Sequence, residues 1–124
     1  VQTVNNSSGP LGEQYTAYYL EQNGCTVVVR NYRSRFGEID IIARNKKFLI
    51  FVEVKTREQG SLENPLEAVT PAKQRRLIRT ALLYLQAHPT ALQPRFDVAA
   101  VTTQNRSPVS IQYVADAFSC PQSF

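Results

Sequence analysis

Asp40, Glu53 and Lys55 are the residues of this chain whose types and spacing could do chemistry together. Asp40 lies in the segment EIDIIA, residues 38–43, and Glu53 and Lys55 close the segment FLIFVEVK, residues 48–55. Both segments are rich in aliphatic residues and read as β-strands, with Lys46 and Lys47 at the turn between them. A hairpin centred between those lysines sets Asp40 opposite Glu53 and Glu38 opposite Lys55. Cross-strand neighbours have Cβ atoms about 4.5–5.5 Å apart, and residues two apart on one strand share a face. One face of one hairpin then gathers Asp40, Glu53, Lys55 and Glu38, an arrangement that a one-residue slip of register would destroy.

Two carboxylates facing each other repel unless a cation or a proton intervenes. Their sequence neighbours, Ile39, Ile41, Phe51, Val52 and Val54, are apolar. Such a pair suits a hard divalent cation with oxygen ligands; magnesium, or manganese, takes one or two carboxylates and fills its shell with water and phosphate oxygens. A bound cation of this kind lowers the pKa of water and neutralises phosphate charge, and an adjacent lysine can orient the attacking water. These are the parts needed to hydrolyse a phosphodiester. The plain alternative is a Glu38–Lys55 cross-strand ion pair with Asp40 and Glu53 at exposed strand ends. The apolar run that precedes Glu53 weighs against it, because a polar end on a buried strand is costly without a purpose.

The elements that must position these residues can be read on either side. Pro10 suits the first turn of a helix that runs to about Asn23 and stops at Gly24. Glu13, Ala17 and Leu20 lie on one stripe of that helix, so Glu13 is a third carboxylate that can reach the same site; the alternative is an acidic residue favoured by the helix dipole. Residues 25–30 read as a first strand, and Asn31–Phe36 as a basic loop. The third strand is nearly continuous in apolar residues and should be central. A loop from Arg57 to Val69, containing Gly60 and Pro65, leads to a second helix with Thr70 as N-cap and Pro71 at the first position. That helix runs to about Ala87, with Leu77, Ile78, Ala81, Leu82 and Leu85 as its apolar stripe and Gln74 on the sheet-facing side of the first turn. Residues 96–101 and 109–114 read as a fourth and fifth strand around the turn Asn105–Pro108. A helix between the third and fourth strands makes those two parallel, and the first three form an antiparallel meander.

Basic residues fall in two groups: Arg30, Arg33 and Arg35 before the second strand, and Lys73, Arg75, Arg76 and Arg79 on the second helix. Either group can grip phosphates without reading sequence or can be a solvated face. His88, the one histidine, suits a cap or surface position. Asp97 beside Arg95 suggests an ion pair. Cys25 and Cys120 fit no metal spacing and make no disulfide framework.

The chain has 124 residues, 43% hydrophobic and 19% charged, with a formal charge of +4. This is one domain's length, and the basic balance favours an anionic partner, nucleic acid first. Residues 1–9, rich in Asn and Ser, are expected to be a disordered tail, residues 10–118 the domain, and residues 119–124 a C-terminal tail. No apolar run is long enough to span a bilayer, so no membrane association is expected, and the default expectation is the cytoplasm.

Several segments carry a specific likeness: GPLGEQYTAYYLEQNG, RNYRSRFGEIDIIAR, FVEVKTR, AVTPAKQRRLI and RFDVAAV. Together they resemble the YraN-like family of small bacterial proteins, of largely unassigned function. That family is similar in its core to the PD-(D/E)XK nuclease superfamily, with its restriction-endonuclease-like fold and its archaeal-type Holliday junction resolvases. The likeness spans about residues 9–118. It implies an α/β fold with an αβββαβ core, a central mixed sheet flanked by helices. It maps Asp40 to the motif aspartate, Glu53 and Lys55 to (D/E)XK, and Glu13 to the acidic residue of the first helix. Ile39 stands where the motif has proline, and the loop reads SLENP where the family usually has a glycine.

The expectation is a metal-dependent nuclease acting on DNA more readily than on RNA, with branched or repair substrates in view. Asp40, Glu53 and the Val54 carbonyl would hold Mg2+ or Mn2+, and Arg33, Arg35, Lys73, Gln74 and Arg76 would hold the nucleic acid. A homodimer is expected from the likeness to junction resolvases, although no interface stripe stands out. The rival expectations are a catalytically silent nucleic-acid-binding module and a scaffold on the same fold.

Overall fold

In the computed structural model, which describes residues 3–64 and 66–120, the elements run α1 (Thr3–Gln22), β1 (Thr26–Ser34), β2 (Gly37–Arg44), β3 (Phe48–Glu58), α2 (Pro71–Ala87), β4 (Gln93–Gln104) and β5 (Ser107–Phe118). Residues 1–2, Pro65 in the long loop and the last four residues of the expected C-terminal tail lie outside the described residues. The five strands form one sheet in the order β1-β2-β3-β4-β5. β1, β2 and β3 are an antiparallel meander, β3 and β4 are parallel, and β5 returns antiparallel to β4. This is the expected α/β restriction-endonuclease-like αβββαβ core with a fifth strand added.

Hydrophobic burial explains the layering. β3 sits centrally and buries Leu49, Ile50, Phe51 and Val52 on its two faces. One face, with Ile41, Ala43, Ile50, Val52 and Ala99, packs under Leu20 of α1. The other, with Ile39, Ile42, Phe51, Phe96 and Val98, packs under Leu77, Ile78, Ala81 and Tyr84 of α2. Each such aliphatic side chain contributes roughly 1.5–3 kcal/mol on burial. The α2 stripe differs from expectation at one point: Leu82 is exposed, and Tyr84, one turn beyond Ala81, takes the core position.

The strands are longer than their apolar segments. Residues 31–34, expected as loop, extend β1 and pair Tyr32 with Ile39, Arg33 with Glu38 and Ser34 with Gly37. The basic string conceals a period-two alternation. Tyr32 turns inward and meets Tyr84 edge-on at 5.1 Å, while Arg33 and Arg35 point out. β3 continues to Glu58 because its parallel pairing with β4 runs on to Thr103. β4 and β5 likewise extend past their apolar runs to the turn at Asn105–Arg106, where both residues have positive φ, 53° and 68°, as a two-residue hairpin of the type I′ kind requires. Glu58 closes that end, its carboxylate accepting from Thr103 Oγ1 and from the Asn105 N–H, each at 2.8 Å. α1 reaches back to Thr3, so Pro10, expected at its first turn, lies inside it. There the ring removes its own hydrogen bond to the carbonyl four residues earlier and crowds that carbonyl.

Asp97 is fully buried in this sheet and forms the expected ion pair with Arg95, at 2.9 Å. It also accepts from Tyr113 Oη at 2.6 Å and from the Asp116 N–H at 2.9 Å. A buried carboxylate is tolerable when its lone pairs are filled in this way. Burial, and then the Asp97 charge, push the Tyr113 hydroxyl well above its ordinary range, and its ring stacks on Tyr19 of α1 at 5.2 Å.

Candidate functional site

The β2–β3 ladder has the expected register, pairing Arg44 with Leu49, Ala43 with Ile50, Ile42 with Phe51 and Ile41 with Val52. It ends there, one pair short of Asp40 and Glu53. Instead of a further backbone pair, the Asp40 carboxylate enters the space between the strands, and its Oδ2 accepts from the Val54 N–H at 2.8 Å. Glu38 does not reach Lys55 across the hairpin. It turns to β1, where Arg33 lies 3.8 Å away.

A break in the pleat accompanies this. Ile39 and Ile41 would share a face in a regular strand, yet Ile39 packs with the α2 core and Ile41 with the α1 core. The alternation slips at Asp40. Opposite it on β1, between the pairs Arg30–Ile41 and Tyr32–Ile39, sits Asn31 with φ +58°. Asn is among the few residues that adopt this conformation readily.

Glu53 is 5% exposed, and its Oε2 is shared by two ammonium groups, Lys55 Nζ at 3.6 Å and Lys73 Nζ at 3.4 Å. Lys73 gets there because Thr70 caps α2, its Oγ1 accepting from the Lys73 N–H at 3.2 Å, with Pro71 in the first turn. Gln74, next along, is half-buried and donates from its amide to the Val69 carbonyl at 3.1 Å, tying the long loop to the helix.

Glu13 comes from the stripe expected of it, above Ala17 and Leu20. Gly12 brings it close: a Cβ there would lie 2.3 Å from Thr56 Cγ2 and 3.7 Å from Val54 Cγ1, so only glycine lets α1 descend onto β3 at this level. Glu13 pairs with Arg30 at 3.6 Å, and Asn31 lies near enough to favour its charged form. Burial, outweighing these two partners, raises its carboxyl.

Asp40 carries the largest perturbation of the group. Burial first, then the Glu53 charge, raise its carboxyl from the ordinary 3.8 to about 7, against the opposing effect of the Val54 N–H; Glu13 and Glu38 add smaller repulsions. A carboxyl so placed is poised to exchange its proton for a metal cation near neutrality. Among the described residues no three side chains of Asp, Glu, His or Cys converge into a metal shell. The groups that could hold a cation are Asp40, Glu53 and a backbone carbonyl. A residue's N–H and C=O project to the same strand edge, so the Val54 carbonyl faces the side on which its N–H meets Asp40. Two carboxylates and one carbonyl fit a hard cation that keeps water and substrate oxygens, as magnesium does, and not a zinc site of nitrogen and sulfur ligands.

Of the expected nucleic-acid residues, Arg35 and Arg76 line one surface cavity of about 370 Å³ with Phe36, Ala72, Arg75 and Arg79. Arg33 lies outside it, against Glu38. Sequence reasoning missed the pairing of Lys73 with Glu53 and that of Arg30 with Glu13. The available signal was a lysine in the first turn of the helix that follows the Glu53 strand. His88 is the C-cap of α2, stacked on Tyr84 at 4.3 Å, as expected of a capping residue. Cys25 and Cys120 are free thiols. No helix among the described residues is long and apolar enough to cross a membrane.

Residues 12–101 match the model of Uncharacterised protein family UPF0102, a span that takes in Glu13, Asp40, Glu53, Lys55 and both helices' packing faces. A UPF0102 protein of Syntrophus aciditrophicus is 44% identical over 117 residues, covering 94% of this chain and 91% of the relative. One from Kineococcus radiotolerans is 46% identical over 114 residues, covering 90% and 93%. Another, from Syntrophotalea carbinolica, is 51% identical over 96 residues, covering 77% and 78%. The chain belongs to the UPF0102 family, the YraN-like family of the sequence resemblance.

Proposed function

We propose that the protein is a magnesium- or manganese-dependent nuclease that hydrolyses DNA phosphodiester bonds, in branched or repair substrates. The observation that carries the reading is the meeting of Asp40 and Glu53 where β2 and β3 part, with the Asp40 carboxyl raised to about 7. Asp40, Glu53 and the Val54 carbonyl would hold the cation. When bound, the cation supplies charge neutralisation at the phosphate and a more acidic water. Lys55, half-buried beside Glu53, presents an ammonium donor that orients a water toward phosphorus. Glu13, paired with Arg30, would assist from α1. Lys73, in contact with the same Glu53 oxygen, would give way to the cation. The basic residues Arg33, Arg35 and Arg76 supply phosphate contacts that position without reading sequence.

The test is titration calorimetry with magnesium and manganese, followed by cleavage of labelled flap, junction and single-stranded DNA. Wild type is compared with Asp40→Asn and Glu53→Gln. Metal binding and cleavage by the wild type, lost in both variants with the fold kept, support the reading. Equal cleavage by a variant free of contaminating nuclease sinks it.

A second reading is a nucleic-acid-binding module without catalysis. It is favoured by the two ammonium groups on Glu53 Oε2, which balance that charge with no metal. It expects salt-sensitive DNA binding that persists in chelator and no cleavage with either cation.

A further inference from the structure

The β1–β2 hairpin tip and α2 enclose a second feature, apart from the carboxylates. Arg35, Arg75, Arg76 and Arg79 line the cavity of about 370 Å³ together with Phe36 and Ala72. Two of the guanidinium groups lie over the Phe36 ring, Arg35 at 4.8 Å and Arg79 at 5.5 Å from its centroid. The tip is fastened to the helix: Ser34 Oγ and Thr80 Oγ1 hydrogen-bond at 2.9 Å, and Gly37, at φ +151°, lies against Arg76. Ser34 also accepts from the Phe36 N–H at 3.0 Å, fixing the turn that carries the ring. The guanidinium groups thus hang on a rigid frame.

Their charge is uncompensated. None of the four arginines forms an ion pair among the described residues, and α2 contains no Asp or Glu at all. A merely solvated helix face carries both signs. Here the cations crowd the first half of the helix, toward the end where the dipole disfavours positive charge. The nearest functional neighbour is Lys73, one turn before Arg76, about 4.5 Å away along the axis, and Lys73 touches Glu53. Lys73, Arg75, Arg76 and Arg79 thus form one basic stretch of α2 that begins at Glu53 and ends at the cavity.

We propose that this arginine cavity is a phosphate anchor: it holds a phosphate group of the nucleic-acid strand a few nucleotides from the one that reaches Asp40 and Glu53. The inference deepens the nuclease reading and rests on it for the second half of that statement. Guanidinium forks match phosphate oxygens in pairs, and the cavity reads no base. The phosphate is either an internal phosphodiester or a strand's terminal monophosphate.

The test uses the full chain carrying Asp40→Asn, without added metal, so that cleavage cannot interfere. Fluorescence anisotropy measures binding of single-stranded oligonucleotides with a 5′-phosphate and with a 5′-hydroxyl, across a salt series. Arg75→Glu/Arg79→Glu is the variant; both side chains are exposed, so the core is spared, and circular dichroism checks the fold. Arg79→Gln alone serves if the double variant does not fold. The expected result is at least a tenfold loss of affinity and a shallower salt dependence, by about one unit of slope for each lost phosphate contact. A 5′-phosphate advantage that vanishes in the variant assigns the cavity to strand ends; equal affinity for both oligonucleotides assigns it to internal phosphates. Affinity within twofold of the parent overturns the anchor, as does preference for phosphatidylserine vesicles over the oligonucleotides. Cavity-dependent binding with no cleavage by the wild type keeps the anchor and removes the nuclease. Cleavage by a wild-type background that is indifferent to the arginine changes does the reverse.

Discussion

The Val54 N–H donates to the Asp40 carboxylate at 2.8 Å, at the place where the β2–β3 ladder would otherwise have continued to Ile39. A side chain takes over a backbone partner, and the two strands open around it. That substitution brings Asp40 toward Glu53 and leaves Asp40 buried with a neighbouring negative charge, which is why its carboxyl rises to about 7.

The pH dependence of stability follows. The native Asp40 carboxyl keeps its proton up to about 7, whereas the unfolded chain loses it near 3.8. Between those values the folded state binds more protons, so stability falls as pH rises. In the metal-free protein this contribution is fully present below about pH 4 and gone above about pH 7, and amounts to at most about 4 kcal/mol at 1.36 kcal/mol per unit. Urea denaturation at pH 5 and pH 8, wild type minus Asp40→Asn, measures it; a flat difference refutes it. Magnesium is expected to stabilise more at pH 8 than at pH 5, with proton release on binding that calorimetry in buffers of different ionisation heat detects.

On the proposed reading, Lys73 would compete with the cation for Glu53 Oε2. Lys73→Gln is expected to raise magnesium affinity about three- to tenfold, a change on the scale of a partly screened ion pair, while lowering nucleic-acid affinity. Weaker magnesium binding in this variant, measured by calorimetry, would show that the lysine holds the site together instead.

Gly12 sets the height of α1 above β3. Gly12→Ala is expected to cost about 1–3 kcal/mol, because its Cβ meets Thr56 Cγ2. Thr56→Ser removes that methyl and should recover most of the loss. A denaturation double-mutant cycle with a coupling near zero would mean that α1 is positioned elsewhere.

Asp97 is expected to matter for folding and not for the site. Asp97→Ala strands Arg95, Tyr113 and the Asp116 N–H and should cost about 3–5 kcal/mol; Tyr113→Phe should cost about 1–2 kcal/mol. Magnesium affinity of the folded fraction should stay within twofold of wild type. A large change in that affinity would tie the network to the metal centre.

Much of this was legible in the chain. The aliphatic run before Glu53 marked the central strand, Lys46–Lys47 centred the hairpin and fixed its register, and Thr70–Pro71 marked where α2 begins. These are local signals, written within a few residues of where they act. The opening at Asp40 was not legible, because it depends on a positive φ at Asn31 on the other strand. Nor was the extension of β1 through residues 31–34, where arginines masked the inward Tyr32 and Ser34. The target of Lys73 and the frame around Phe36 need the packing of α2 on the sheet, which periodicity places on a face but not at a height.

Asp97 joins residues of β4 and β5 that are close in sequence, so the hairpin that holds it can close early and cheaply. The carboxylate pair has the opposite ancestry. Its parts come from α1, β2, β3 and α2, and the positive φ of Asn31 in β1 lies opposite Asp40. When the full chain refolds, the short-range β4–β5 hairpin that holds Asp97 is expected to close before the four elements around Asp40 and Glu53 meet. Whatever reactivity the site possesses is thereby withheld until the last long-range packing is done, so completion of the fold is its own safety catch.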